Sequence, residues 1–207
     1  MIALELGYRL VPTGSFSLDL AGFMNFYDNL RSSSFGTPTP VFDPLAPPYV
    51  RQPMSLANDM DGKGYGVELA AKWRTTDWWQ LLAAYAYLHL DLEGEGPLGE
   101  QSAALFAGNT PKHEVSLRSQ MDLYKDVELD LWLRYVDRLR GMDDPKVDDY
   151  LTLDARLGWR PVNSLELSLV GQNLLDARHL EAVSESGTRV VSSEVERSVY
   201  AKITWTF

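Results

Sequence analysis

The sequence predicts an all-β chain: an antiparallel portion of a transmembrane β-barrel, with short turns at one end and long loops at the other. Three observations carry that expectation. Segments in which apolar and polar residues alternate recur along the whole chain, and period two marks a strand with two unlike faces. The connections between these segments alternate short and long, as in outer-membrane barrels. The final segment puts Val199, Ala201, Ile203, Trp205 and Phe207 on one face and Ser198, Tyr200, Lys202, Thr204 and Thr206 on the other. A terminal strand with an apolar, aromatic face fits the wall-closing strand of a barrel in lipid.

Taken in order, the first segment sets Ile2, Leu4, Leu6 and Tyr8 against Glu5 and Arg9. A tight turn at 11–14 leads to Phe16, Leu18, Leu20, Gly22, Met24 and Phe26, opposed by Ser17, Asp19, Asn25 and Tyr27. Residues 31–62 read as one long outer loop with a local hairpin. Pro38, Pro40, Pro44, Pro47, Pro48 and Pro53 oppose a regular ladder there. A further full span at 49–58 would also break the alternation of short and long ends. Tyr65, Val67, Leu69, Ala71 and Trp73 then oppose Glu68, Lys72 and Arg74.

After a turn at 75–77, the run Trp78 to Leu90 is apolar on both faces, so its parity stays open. A long connection at 91–111 follows. Val115, Leu117 and Met121 oppose Glu114, Ser116, Arg118 and Gln120. Beyond a turn at 124–126, Val127, Leu129, Leu131, Leu133 and Tyr135 oppose Glu128, Asp130, Trp132 and Arg134. A loop at 140–149 leads to Leu151, Leu153, Ala155, Leu157 and Trp159, which alternate with Thr152, Asp154 and Arg156. The turn 160–163 precedes Leu165, Leu167 and Leu169, set against Glu166, Ser168 and Gln172, and a long loop at 173–197 reaches the closing strand. The total is about nine strands, several longer than those of soluble sheets.

Composition narrows the function. A formal net charge of -10 over 207 residues disfavours a grip on nucleic-acid phosphates. With no cysteine there is neither a disulfide frame nor thiolate chemistry. No apolar run is long enough for a helical span, whereas a barrel strand needs only about 10 residues. The amino terminus lacks the basic region and cleavage site of a signal peptide and reads as strand interior.

Periodicity alone leaves two assignments of the faces. In a soluble antiparallel β-sandwich the apolar alternates meet a core; in a membrane barrel they meet lipid and the polar set lines the lumen. Recurrent aromatics at Tyr8, Trp73, Trp78, Trp79, Trp159, Trp205 and Phe207 resemble interfacial girdles. Full charges of both signs in mid-strand, among them Glu68, Lys72, Glu114, Arg118, Glu128, Asp130, Arg134, Asp154, Arg156, Glu166 and Lys202, suit a wet lumen.

Several motifs resemble those of TonB-dependent outer-membrane receptors. Val170-Gly171-Gln172-Asn173-Leu174-Leu175-Asp176 is similar to their penultimate-strand ending. Gly64-Tyr65-Gly66-Val67-Glu68-Leu69 resembles their "G-x-E" strand opening, and Pro111-Lys112-His113 their "P-x-H" motif. The last strand, with Phe207, resembles the one read by the barrel assembly machinery. The resemblance covers nearly the whole chain, most strongly 62–207. It implies a 22-stranded barrel around a plug, a place in the bacterial outer membrane, and TonB-driven uptake of a scarce solute such as a ferric siderophore. The chain has room for about nine of those strands, so residues 1–207 are expected to be a partial barrel domain. The plug and the amino-terminal barrel would be missing, TonB would act only through that plug, and the piece is not expected to transport alone. A small outer-membrane pore and a soluble β-sandwich binding protein are the alternatives.

Ligand capture in such receptors uses outer loops and the upper lumen. The candidates are Tyr27, Asn29, Arg31, His89, Arg138, Arg140, Arg178 and His179. Arginines can pair with an anionic metal chelate. His89 and His113 lack the neighbours of a metal or haem site. Asp143, Asp144, Asp148 and Asp149 lack the spacing of a calcium loop and read as a solvated turn. Asn173 and Asp176 are expected to order the start of the last outer loop. No nucleophile–base arrangement, phosphate loop or metal motif is visible, so neither an enzyme nor a cofactor is expected.

Overall fold

The computed structural model describes residues 1–44, 47–141, 146–181 and 194–207. Alternation becomes strand wherever the sequence shows it. In chain order the elements are β1 Ile2–Thr13, β2 Phe16–Phe35, β3 Thr39–Val41, β4 Tyr49–Arg51, β5 Met54–Arg74, β6 Trp79–Gly94 and α1 Gly96–Gly108. They continue with β7 His113–Tyr124, β8 Val127–Val136, β9 Tyr150–Val162, β10 Leu165–Gln172, β11 Arg178–Leu180, β12 Glu194–Glu196 and β13 Ser198–Trp205. Nine of the strands form one sheet in the order β1-β2-β5-β6-β7-β8-β9-β10-β13. Every neighbour is antiparallel. β3–β4 and β11–β12 are small hairpins carried on the long connections.

The short connections lie at 14–15, 75–78, 125–126 and 163–164, all at one end of the sheet. Asp126 closes its two-residue turn with φ 64°, a conformation open at low cost to glycine, asparagine and aspartate. The long connections gather at the other end.

Two expectations need correction. Residues 31–62 are not one loop: β2 runs on to Phe35 and β5 starts at Met54, so their ladder rises well past the predicted boundary. The proline-rich stretch is confined to 36–53, with β3–β4 inside it. The connection 91–111 is not wholly irregular either, because it holds α1. Ser102 Oγ donates to the Ser33 carbonyl at 2.6 Å and the Glu95 amide to the Asp59 carbonyl at 3.2 Å, pinning this helix to β2 and β5. It crosses β6 where Gly99 faces Gly94: a Cβ on Gly99 would lie 2.7 Å from the Gly94 carbonyl carbon.

Burial runs opposite to that of a soluble sheet. Leu169 is 52% exposed and its neighbour Ser168 8%; Leu151 is 44% exposed and Thr152 1%. Among described residues, the fully buried apolar side chains are Met60, Ala103 and Val147, all near the long-loop end. The apolar alternates therefore form an outward face that no described residue covers. On that face of β5, Trp73 and Lys63 are ten residues apart. At about 3.3 Å per residue and a tilt near 40°, they stand about 25 Å apart along a barrel axis. This equals the height of the apolar band of outer-membrane barrels. Trp79, Trp159 and Trp205 share the lower level with Trp73, while Tyr65, Tyr85, Tyr87 and Tyr135 mark the upper one.

Candidate functional site

The polar face carries the chain's organised chemistry. Near the short-turn end, Arg156 on β9 reaches three carboxylates on its two neighbouring strands, Glu128 and Asp130 on β8 and Glu166 on β10. Its Nη1 lies 3.0 Å from Glu128 and 3.1 Å from Asp130, and its Nη2 2.5 Å from Glu166. Arg160 closes the figure at 3.2 Å from both Glu128 and Glu166. Gly158 makes this possible, since a Cβ there would sit 2.7 Å from Arg156 Nη2. The guanidinium lies along its own strand over the space a side chain would take. Gln120 extends the network, donating to Asp130 at 3.4 Å and accepting from Gln80 at 3.0 Å. The charges of this lower part of the wall are thus paired across strands.

Higher on the same face, Arg134 pairs with Asp154 at 3.0 Å and lies 4.4 Å over the Trp132 ring. Asp154 also accepts the Asn173 amide at 2.9 Å. Asn173 has φ 51° and donates its side-chain Nδ2 to the Val195 carbonyl at 3.1 Å and to His179 Nδ1 at 3.2 Å. His179 is buried, stacks on Tyr150 with centroids 4.3 Å apart, and faces Glu181 through Nε2 at 3.2 Å. Because Asn173 donates to Nδ1, Nδ1 is the accepting nitrogen and Nε2 carries the proton toward Glu181. Arg197 completes the base of this loop through the Asp176 carbonyl at 3.1 Å. The glycine–glutamine–asparagine motif is therefore a bracket holding β11–β12 to the wall.

Between these networks lies a hollow of about 710 Å³. Its floor is small, with Gly7, Ala21, Ala70, Ala84, Ala86 and Ser116. Glu68 and Glu114 flank it in one cross-strand row with Ala86 between them, about 10 Å apart at the ordinary strand spacing. Neither carboxylate has an ion-pair partner among the described residues. The neighbouring Arg9 and Asp19 pair with each other.

The predicted ligand residues scatter. Tyr27 lies on the polar face against Gly64, and Asn29 occupies a bulge at φ 58° with its amide bonded to Asp61 at 2.8 Å. Arg31 follows on the same strand. His89 falls on the outward apolar face beside Tyr65, centroids 5.1 Å apart, away from the upper lumen expected for it. His113 sits on that face too, 2.9 Å from the Tyr85 hydroxyl. Three of the four candidate arginines are spoken for: Arg138 by Asp149 at 3.3 Å, Arg140 by Asp137 at 3.4 Å and Arg178 by Glu194 at 3.3 Å. His179 is a structural member of the bracket. Asp143 and Asp144 lie outside the described residues. Among those described, no group of three or more metal-ligating side chains is assembled. Sequence reasoning missed a cleft of about 230 Å³ between the loops, lined in part by Asn109, Asp137, Tyr150 and Glu181. Those residues stand far apart in sequence and share no motif.

On the closing strand, Val199, Ala201, Ile203 and Trp205 pair with Gly171, Leu169, Leu167 and Leu165, and Phe207 lies just past the ladder. The sheet matches known proteins in fold. Residues 2–174 match the family described as TonB dependent receptor-like, beta-barrel. The chain belongs to that family. Its members are outer-membrane receptors rather than enzymes, and the chain's place is the bacterial outer membrane.

The catecholate siderophore receptor Fiu of Escherichia coli K12 is 24% identical over 130 residues. That alignment covers 60% of this chain and 17% of Fiu, so the chain spans only a small part of that relative's length. Among solved structures, the siderophore receptor PiuA of Acinetobacter baumannii superposes with a TM-score of 0.70 at 22% identity. The match covers 98% of this chain and 28% of PiuA. The ferric yersiniabactin uptake receptor FyuA of Yersinia pestis gives 0.71 at 20% identity, over 99% of this chain and 29% of that one. These likenesses show the fold of the nine-stranded sheet and cover less than a third of each of those receptors.

Proposed function

We propose that the chain is the carboxy-terminal wall, outer-loop and assembly-signal portion of a TonB-dependent receptor that imports a ferric siderophore. The observation that carries this reading is the two-sided sheet itself: a bare apolar band about 25 Å tall outside and paired charges inside. Short turns then face the periplasm and long loops the exterior. Outer-membrane lipid covers the apolar band, and the strand ending at Phe207 is the signal for the barrel assembly machinery. The rest of a 22-stranded barrel pairs with the edges β1 and β13, since open edges in hydrocarbon leave backbone groups unsatisfied.

The hollow between Glu68 and Glu114 offers the space and charge for basic side chains of a plug. TonB acts through that plug, so this portion does not transport alone. The metal chelate is cargo; its contacts come from the loops and upper polar face.

The test is uptake of labelled ferric chelates by iron-starved cells expressing the receptor with and without residues 1–207. Energy- and TonB-dependent uptake that vanishes with the segment is the expected result. Passive solute flux through reconstituted vesicles, without TonB, would instead assign a pore.

A further inference from the structure

We infer that the loop end of this segment favours a ferric chelate that is neutral or positively charged over a polyanionic one. The inference rests on the uptake function proposed above and adds the charge class of its substrate.

The carrying observation is where the negative charge sits. The loop-end stretches 28–61, 91–112, 137–149 and 173–197 hold 18 acidic and nine basic residues, a balance of -9. The remainder of the chain holds 11 acidic and ten basic residues, a balance of -1. The described residues of those stretches alone carry a balance of -7, from 15 acidic and eight basic residues, so most of the net charge of -10 sits at one end of the wall. A random scatter would have left much of it on the strands and short turns.

Geometry independently removes the cations that could have reversed this field. Arg138, Arg140 and Arg178 each lie against a carboxylate, at 3.3, 3.4 and 3.3 Å. Those arginines are neutralised where an anionic ligand would need them free. Arg31 has no such pair among the described residues, and on the same strand Ser32 and Asn29 bond the Asp59 and Asp61 carboxylates. The cleft under these loops shows the same bias. Glu114, Asp137 and Glu181 line it, and among the described residues no basic side chain does. A field of one sign at a concave mouth raises the local concentration of the opposite charge and repels its own.

Ferric chelates span this range. Three catecholates leave the complex trianionic, whereas three hydroxamates leave it neutral, and a pendant ammonium makes it monocationic. The experiment compares ferric desferrioxamine B, monocationic, with a trianionic ferric tris-catecholate of similar size. Binding of each to the purified complete receptor is measured at low and high ionic strength. The expected result is a preference of about tenfold or more for the cationic chelate at low salt, shrinking as salt rises. Neutralising the exposed loop acids Glu93→Gln, Glu95→Gln and Glu100→Gln together should cut that preference about threefold without unfolding the wall. Equal or tighter binding of the trianion overturns the inference while leaving siderophore uptake intact. A preference unmoved by salt and by the triple variant overturns it as well. Failure to bind any ferric chelate sinks both the inference and the uptake function beneath it.

Discussion

At the scale of single residues, Arg156 holds the lower wall together, because three carboxylates from the two strands flanking β9 converge on it. Removing it leaves Glu128, Asp130 and Glu166 facing one another. Breaking a buried ion pair costs about 3–5 kcal/mol; this network is partly exposed, so Arg156→Met should cost about 2 kcal/mol. The check is urea unfolding of the receptor in bilayers. Gly158→Leu should reproduce most of that loss by pushing the guanidinium off its seat, whereas Gly158→Ser should cost less. Asn173 offers a second separation. Asn173→Gly keeps the φ 51° backbone accessible but deletes the bracket to Val195 and His179. Asn173→Ala loses both and should destabilise the loop base by about 1 kcal/mol more. Limited proteolysis within 174–197 reads the difference: both variants should be cut faster than the parent, the alanine variant fastest.

Among the elements, what was legible in the sequence follows from where two unlike solvents meet. Strands inside the apolar band favour period two, and most of those from Ile2 to Trp205 show it, β6 being apolar on both faces. The upper part of β2, Asp28 to Phe35, shows no such alternation, because it lies past the apolar band, where α1 packs on it and no hydrocarbon selects a face. It is a strand because the β5 ladder continues past the band, kinked at Asn29. α1 was illegible for a related reason. Its sequence starts Gly96-Pro97-Leu98-Gly99, poor in helix formers, and no side chain caps Glu95. Close approach to β6 through Gly94 and Gly99 and the bond from Ser102 to Ser33 hold it in place. Gly99→Val should therefore lift α1 off the sheet and speed hydrogen exchange over 96–108, leaving β7 to β10 protected. The ligand residues were least legible. Charge and position along the chain named Arg138, Arg140 and Arg178, but only the fold shows a carboxylate beside each.

For the whole molecule, the account stands on which face of the sheet meets hydrocarbon. A soluble sandwich and a membrane wall share the same alternation and differ only in what lies over Leu129, Leu131 and Leu133. The segment has no cysteine, so single spin labels can be placed along the central strand β8 without competition. The direct measurement is label accessibility for Leu131→Cys, Trp132→Cys and Leu133→Cys in the bilayer-embedded receptor. Oxygen, which concentrates in lipid, and a water-soluble nickel chelate serve as relaxing agents. Labels at 131 and 133 should collide with oxygen and be shielded from nickel, and the label at 132 should lose the oxygen signal. Apolar positions closed to both reagents, or open to nickel, would contradict a lipid-facing wall.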